Sequence, residues 1–172
     1  MATKVVLNGV VRPQYAVSPT NPNRSVLSMF VPVEELRKLD ESQIPWVNPR
    51  IGFTDAAGAD KSRVRSDIRE GLEARDGKFH ERHLGVQLIA STARADEGVA
   101  TIDFGTSDNR GIGNGGTTVR VISAMLKEPT PFVQLKDPAK KQYVKVSVFC
   151  GEYHRDEVSG ALRRQEGQSY VS

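Results

Sequence analysis

Arg110-Gly111-Ile112-Gly113-Asn114-Gly115-Gly116-Thr117-Thr118-Val119-Arg120-Val121-Ile122 joins a glycine-rich segment to an apolar helical pattern. Glycine tolerates the positive φ values that bring successive N–H groups to one side of a turn, and the first turn of a following helix adds unpaired donors and a favourable dipole. A phosphate, a nucleotide or a nucleic-acid backbone suits such a cradle. The segment lacks the Lys that a P-loop places after its glycines, and its spacing is not that of a dinucleotide fingerprint. A plain tight turn between strand and helix has the same composition. On the anion-binding reading the contacts come from Arg110, Asn114, Gly115, Gly116, Thr117, Thr118 and Arg120. The two Thr supply hydroxyls and the two Arg supply charge, with Arg120 one turn beyond Thr117 on the same face.

Working outward, the helix expected from about Thr117 ends before Pro129 and Pro131. Upstream, Val86-Gln87-Leu88-Ile89-Ala90 and Val99-Ala100-Thr101-Ile102-Asp103-Phe104 read as a β-hairpin closed by the polar loop Arg94 to Gly98. From about Ser62 to Arg75, Val64, Ile68 and Leu72 recur every four residues among charges, which predicts an amphipathic helix with a narrow buried stripe. Asp76-Gly77 ends it and Phe79 returns to the core. Downstream, Tyr143 to Phe149 alternates strictly and is the clearest strand, while Asp156 to Arg164 suits a weak helix. Near the N-terminus, Lys4 to Val10 is β-rich, and the run Pro19 to Asn23 is a connection. Ser25 to Val31 is a buried strand, and Val33 to Leu39 a short helix with Glu34 and Glu35 in its first turn. Pro45-Trp46-Val47-Asn48-Pro49-Arg50 should be an extended, ordered turn. The order of elements predicts an α/β or α+β domain with a mixed sheet and flanking helices. Residues 1–24 form an N-terminal strand and linker, 25–165 a single domain and 166–172 a tail.

The 172 residues, 38% hydrophobic and 26% charged, suit one soluble domain with a sizeable core and exclude a wholly disordered chain. No window approaches the roughly 20 apolar residues that cross a bilayer, which excludes membrane insertion. A lone Cys150 forms no internal disulfide and Met1-Ala2-Thr3-Lys4 carries no signal-peptide core, so a cytoplasmic protein is expected. The net charge of +3 does not by itself announce nucleic-acid binding. Basic residues nevertheless concentrate between 50 and 94, where Lys61, Arg65, Arg69 and Arg82 are candidates for a nucleic-acid surface or simply a solvated charged face.

His80, Arg82 and His83 cluster just before the Val86 strand. His83 is a candidate general base beside the anion site, or a structural hydrogen-bonding residue. His80, His83 and His154 lack paired ligand spacing, so no metal site is expected, and Asp103, Asp108 and Asp137 are too scattered for a metal nuclease. Cys150 reads as a small buried hydrophobe rather than a nucleophile.

Taken in order, Phe79-His80-Glu81-Arg82-His83-Leu84-Gly85-Val86-Gln87-Leu88-Ile89-Ala90 and Gly111 to Ile122 resemble the AIPR family of abortive-infection phage-resistance proteins. The early Pro-Trp-Val-Asn-Pro-Arg and the late Val-Phe-Cys-Gly-Glu-Tyr also fit, so the resemblance runs from about residue 25 to 165. A more distant similarity links the glycine motif to DGQHR-type proteins and the ParB/sulfiredoxin-like fold, in which such a turn touches nucleotide phosphate. The resemblance puts Asn114 at the motif's acidic position, Gly115 and Gly116 at its glycines, Thr117 at its His or Gln and Thr118 at its Thr. Thr117 lacks the imidazole on which phosphoryl chemistry would rest, whereas backbone-mediated anion binding needs no side chain there. AIPR proteins also typically continue past the point where this sequence stops.

The resemblance implies a bacterial antiphage-defence protein that binds a nucleotide or nucleic-acid phosphate at residues 110–120, with DNA, RNA or other defence subunits as partners. Two further readings stay open: a small nucleotide-dependent hydrolase or nuclease using His83, and a non-catalytic scaffold or regulatory subunit.

Overall fold

The computed structural model describes residues 3–39, 44, 45, 47, 58–74, 76–106, 110–128 and 141–151, with the side chains of 58–62 left out. The expected helix from Asp156 to Arg164, the tail from 166 and most of the Pro45 to Arg50 turn lie outside the described residues.

Among the described residues eight strands build two sheets: β1 (Thr3–Asn8), β2 (Val11–Val17), β3 (Ser25–Pro32), β4 (Val86–Ala90), β5 (Thr92–Asp96), β6 (Val99–Gly105), β7 (Gly111–Asn114) and β8 (Tyr143–Cys150). A 3-10 helix covers Val33–Leu39, and the α-helices are α1 (Gly58–Glu73), α2 (Phe79–Arg82) and α3 (Gly116–Leu126). The larger sheet has the order β2-β3-β8-β4-β7 and the smaller the order β1-β6-β5. Among the described strands β4 and β8 run parallel and the other pairs are antiparallel. This is a mixed α+β fold. None of the described helices is long and apolar enough to cross a membrane.

Burial explains the order of the larger sheet. β8 and β4 occupy its middle, and all five residues of β4 are buried, as a strand covered on both faces requires. β8 alternates only over its first half; from Val146 onward both faces are buried. One core cluster then joins the two sheets, with Val5, Leu7 and Ile102 from the smaller packed with Leu27, Leu88 and Val146 from the larger. Ile68 and Leu72 of α1, Leu36 of the 3-10 helix and Ile122 of α3 complete it. Each such side chain contributes about 1.5–3 kcal/mol on burial.

Four sequence expectations are corrected. β4 and β6 do not form a hairpin. β5 intervenes and pairs with β6 through the two-residue turn Glu97-Gly98, whose φ values of 49° and 79° are those of a type I′ turn. The expected polar loop from Arg94 is therefore mostly strand. Val64 is 46% exposed, because the buried stripe of α1 consists of Ile68 and Leu72 alone. Residues 11–17, read as part of a connection, pair with β3 as an exposed edge strand. The segment 110–116, read as a glycine loop, is strand β7 followed at once by α3.

β7 is glycine-rich because the chain crosses it closely. Ile112 donates its N–H to Pro45 O and accepts from Val47 N–H, both at 2.9 Å. A Cβ on Gly111, at φ 151°, would lie 2.0 Å from that same Pro45 oxygen.

Candidate functional site

The strand-to-helix turn after β7 is built by a single residue. Gly115 has φ 88° and ψ 14°, the left-handed conformation, and forms the N-cap of α3 without a side-chain cap. A Cβ there would meet Val86 Cα and Cγ2 at 3.0 Å, so the turn lies tight against the start of β4. The Asn114 side chain folds back to accept the Gly115 N–H at 2.9 Å, and Val119 N–H closes the first intrahelical bond onto Gly115 O at 3.2 Å. Gly116, Thr117 and Thr118 therefore carry the donors that every helix start leaves without an intrahelical partner. The first turn contains no acidic residue. Its electrostatic character is that of the positive dipole end.

His83 and Thr118 meet behind this turn. His83 Nε2 lies 2.7 Å from Thr118 Oγ1, while His83 Nδ1 accepts the Gly85 N–H at 2.9 Å. A ring nitrogen that accepts from a backbone amide carries no hydrogen, so the proton is on Nε2 and is donated to Thr118. The ring also stacks on Phe79, centroids 4.9 Å apart and planes 19° apart, and Phe79 is 2% exposed. Burial pushes the His83 pKa down to about 4. At neutral pH the imidazole is uncharged and both nitrogens are occupied. It positions the Thr118 hydroxyl, whose own hydrogen remains a donor; it has no open lone pair with which to take a proton from a substrate.

The other expected ligands are dispersed. Arg110 stands at the opposite end of β7 from Gly115, and the strand's four residues span roughly 13 Å. Its guanidinium lies against Gly105, where an added Cβ would meet it at 3.0 Å. Arg120 is half-buried in α3 and engaged in an interaction of its own. Thr117 is half-buried and Thr118 is 2% exposed, so the pair present very different accessibilities.

Two of the four expected basic residues are ion-paired. Arg69 pairs with Glu73 at 2.9 Å and with Glu128 at 2.5 Å, bridging α1 to the end of α3. Arg82 pairs with Asp76. Arg65 is exposed, and the Lys61 side chain lies outside the described residues. His80 packs edge-on against Phe30, centroids 5.3 Å apart, rather than beside His83. Among the described residues no group of three His, Cys, Asp or Glu could hold a metal ion. Cys150 is buried, and burial pushes its thiol pKa up to about 11.

The partnership of His83 with Gly85 escaped the sequence reading, although a His two residues before a glycine and a strand is a spacing from which the ring can reach back to the backbone. Comparison with protein-family models, with curated proteins and with solved structures finds no match.

Proposed function

We propose that the turn Asn114–Thr118 binds a phosphate, belonging to a nucleotide or a nucleic-acid backbone, and that the chain acts in antiphage defence of the abortive-infection type through that binding. The observation that carries the binding reading is the start of α3, an eleven-residue helix entered through a left-handed glycine with neither a side-chain cap nor an acidic residue in its first turn. The buried Thr118 hydroxyl, hydrogen-bonded to a neutral His83, holds the turn in place from behind. The defence assignment rests on the AIPR resemblance of residues 79–90 and 111–122 alone.

The reading is binding without catalysis. A hydrolase would need His83 as a base, and its acceptor nitrogen is taken by Gly85. The reading places the ligand at the turn rather than on the charged surface, where Arg69 of α1 and Arg82 of α2 already face carboxylates.

Thermal unfolding with inorganic phosphate, nucleoside triphosphates and short oligonucleotides tests this. A ligand present at 100 times its Kd should add about 2.7 kcal/mol of stability. Thr117→Glu supplies the control: a carboxylate in the first turn stabilises the helix by about 0.3–1 kcal/mol yet repels phosphate. Retained melting temperature with lost ligand response is the expected result. No response of the unmodified chain to any of the three ligand classes overturns the proposal.

A further inference from the structure

A cavity of about 870 Å3 lies between the edges of the two sheets and shares no lining residue with the α3 turn. It touches every residue from Ser91 to Ala95. Strand side chains alternate between faces, so a cavity that meets five in succession reaches the strand's edge, and with Lys4, Thr101 and Asp103 it extends over the exposed face of the smaller sheet beside that edge. Among the described residues β5 is the outer strand of its sheet, with β6 on one side only. Asp96 and Val99 flank the two-residue turn and form a hydrogen-bonded pair, and such pairs alternate along an antiparallel ladder. Ala93 and Ala95, opposite Ile102 and Ala100, therefore direct their N–H and C=O groups away from β6 and into the cavity. Their methyl side chains leave those groups accessible.

The facing wall is exposed where β2 forms it. Pro13 and Tyr15 of β2 and Leu27 of β3 line it. Tyr15 is 62% exposed although it pairs in register with Leu27, which is 3% exposed, so the core face of the larger sheet continues onto β2 without a cover. Charge supplies the remaining selectivity. Lys4 and Arg94 line the cavity, and neither makes an ion pair with a described residue, unlike Arg69, Arg82, Lys38 and Lys141. Asp103, the carboxylate between them, accepts the Gly105 N–H at 2.9 Å.

We propose that this groove binds an extended peptide with alternating acidic and apolar side chains, added as a further strand to the free edge of β5. The main chain of the peptide bonds to Ala93 and Ala95, its carboxylates meet Arg94, and its apolar side chains cover Tyr15. The five residues of β5 span about 17 Å, which sets a recognised core of similar length.

The test uses a blocked, fluorescent heptapeptide alternating glutamate and valine, with a lysine–valine counterpart, read by anisotropy and by amide hydrogen exchange of the full chain. The glutamate peptide should bind and slow exchange at Ala93 and Ala95, and the lysine peptide should not. Ala93→Pro removes only an outward N–H, and Arg94→Glu reverses an exposed charge; each should weaken binding about tenfold. The Arg94 variant keeps the test valid if proline disturbs the hairpin. Equal binding of both peptides, or binding indifferent to Arg94→Glu, overturns the proposal. So does full protection of Ala93 and Ala95 before any peptide is added, since a second copy or the chain itself would then already hold the edge.

Discussion

The Nε2 hydrogen of His83 is donated to Thr118 Oγ1 across 2.7 Å, joining the end of α2 to the first turn of α3 over a sequence separation of 35 residues. Because Gly85 holds the other ring nitrogen, the imidazole is locked in one tautomer, and the buried Thr118 hydroxyl is oriented from behind the turn. The same contact that withdraws His83 from acid–base work makes the start of α3 rigid.

That contact has a pH signature. The His83 pKa is about 4 in the folded chain against an ordinary value of 6.5, so the unfolded chain takes up the proton first. Stability should be fully present above pH 6.5 and fall as the pH drops towards 4, by up to about 3 kcal/mol. Urea unfolding at pH 7 and pH 5 measures the slope. His83→Gln should flatten it, and an unchanged slope would show that His83 is not the group responsible. Glu35 acts only at lower pH: burial alone would raise its pKa, but Lys38 and the Asn8 N–H together hold it below 4.5, so its contribution is lost as acid protonates it.

Thr118→Val removes the acceptor and leaves the His83 Nε2–H buried without a partner, at a cost of about 1–3 kcal/mol. Thr118→Ser keeps the oxygen and should recover most of that loss. Denaturant midpoints of the two variants compare them directly, and a Val variant more stable than the Ser variant would mean that the methyl group, which Val keeps and Ser lacks, matters more than the hydrogen bond.

Gly115 separates conformational strain from crowding. Alanine at φ 88° costs about 1–2 kcal/mol for the left-handed conformation alone. Asparagine tolerates that conformation, yet its Cβ would still meet Val86 at 3.0 Å. Gly115→Asn should therefore be nearly as destabilising as Gly115→Ala in thermal melts; a near-neutral asparagine would show that β4 yields to the added atom.

The β5–β6 turn offers a stabilising change. Glu97 occupies the first position of the type I′ turn at φ 49°, where glycine or asparagine is preferred. Glu97→Asn should raise stability by up to about 1 kcal/mol, read as an increased melting temperature.

Expectation and structure part company where a segment is a strand because another strand pairs with it rather than because of its own side chains. The runs Ser25–Val31, Val86–Ala90 and Tyr143–Phe149 carry enough adjacent apolar side chains to be strands wherever they pack, and all three form β-strands of the larger sheet. β5 was missed because Thr92-Ala93-Arg94-Ala95-Asp96 has almost no apolar content of its own; it is a strand because β6 pairs with it. β2, wholly exposed, is a strand because β3 lies beside it.

The candidate site divides in the same way. Gly115 and the helix start after it are local, since a left-handed residue before an apolar helical pattern specifies a tight turn whatever surrounds it. Ion pairing is not local: Arg69 is taken by Glu128, 59 positions away in the chain, and Arg110 is carried off by the length of β7.

By itself, then, the amino-acid order determined an α/β or α+β class with a mixed sheet and flanking helices, its central strands and the glycine turn into α3, because periodicity and glycine conformation act over a few neighbouring residues. The tertiary structure alone decided that the glycines before that turn belong to a strand crossed by Pro45, that His83 is a neutral buttress for Thr118, and that the free edge of β5 opens onto a groove. Each of those outcomes depends on hydrogen-bond partners and burial supplied by distant segments, and neither is written in local pattern.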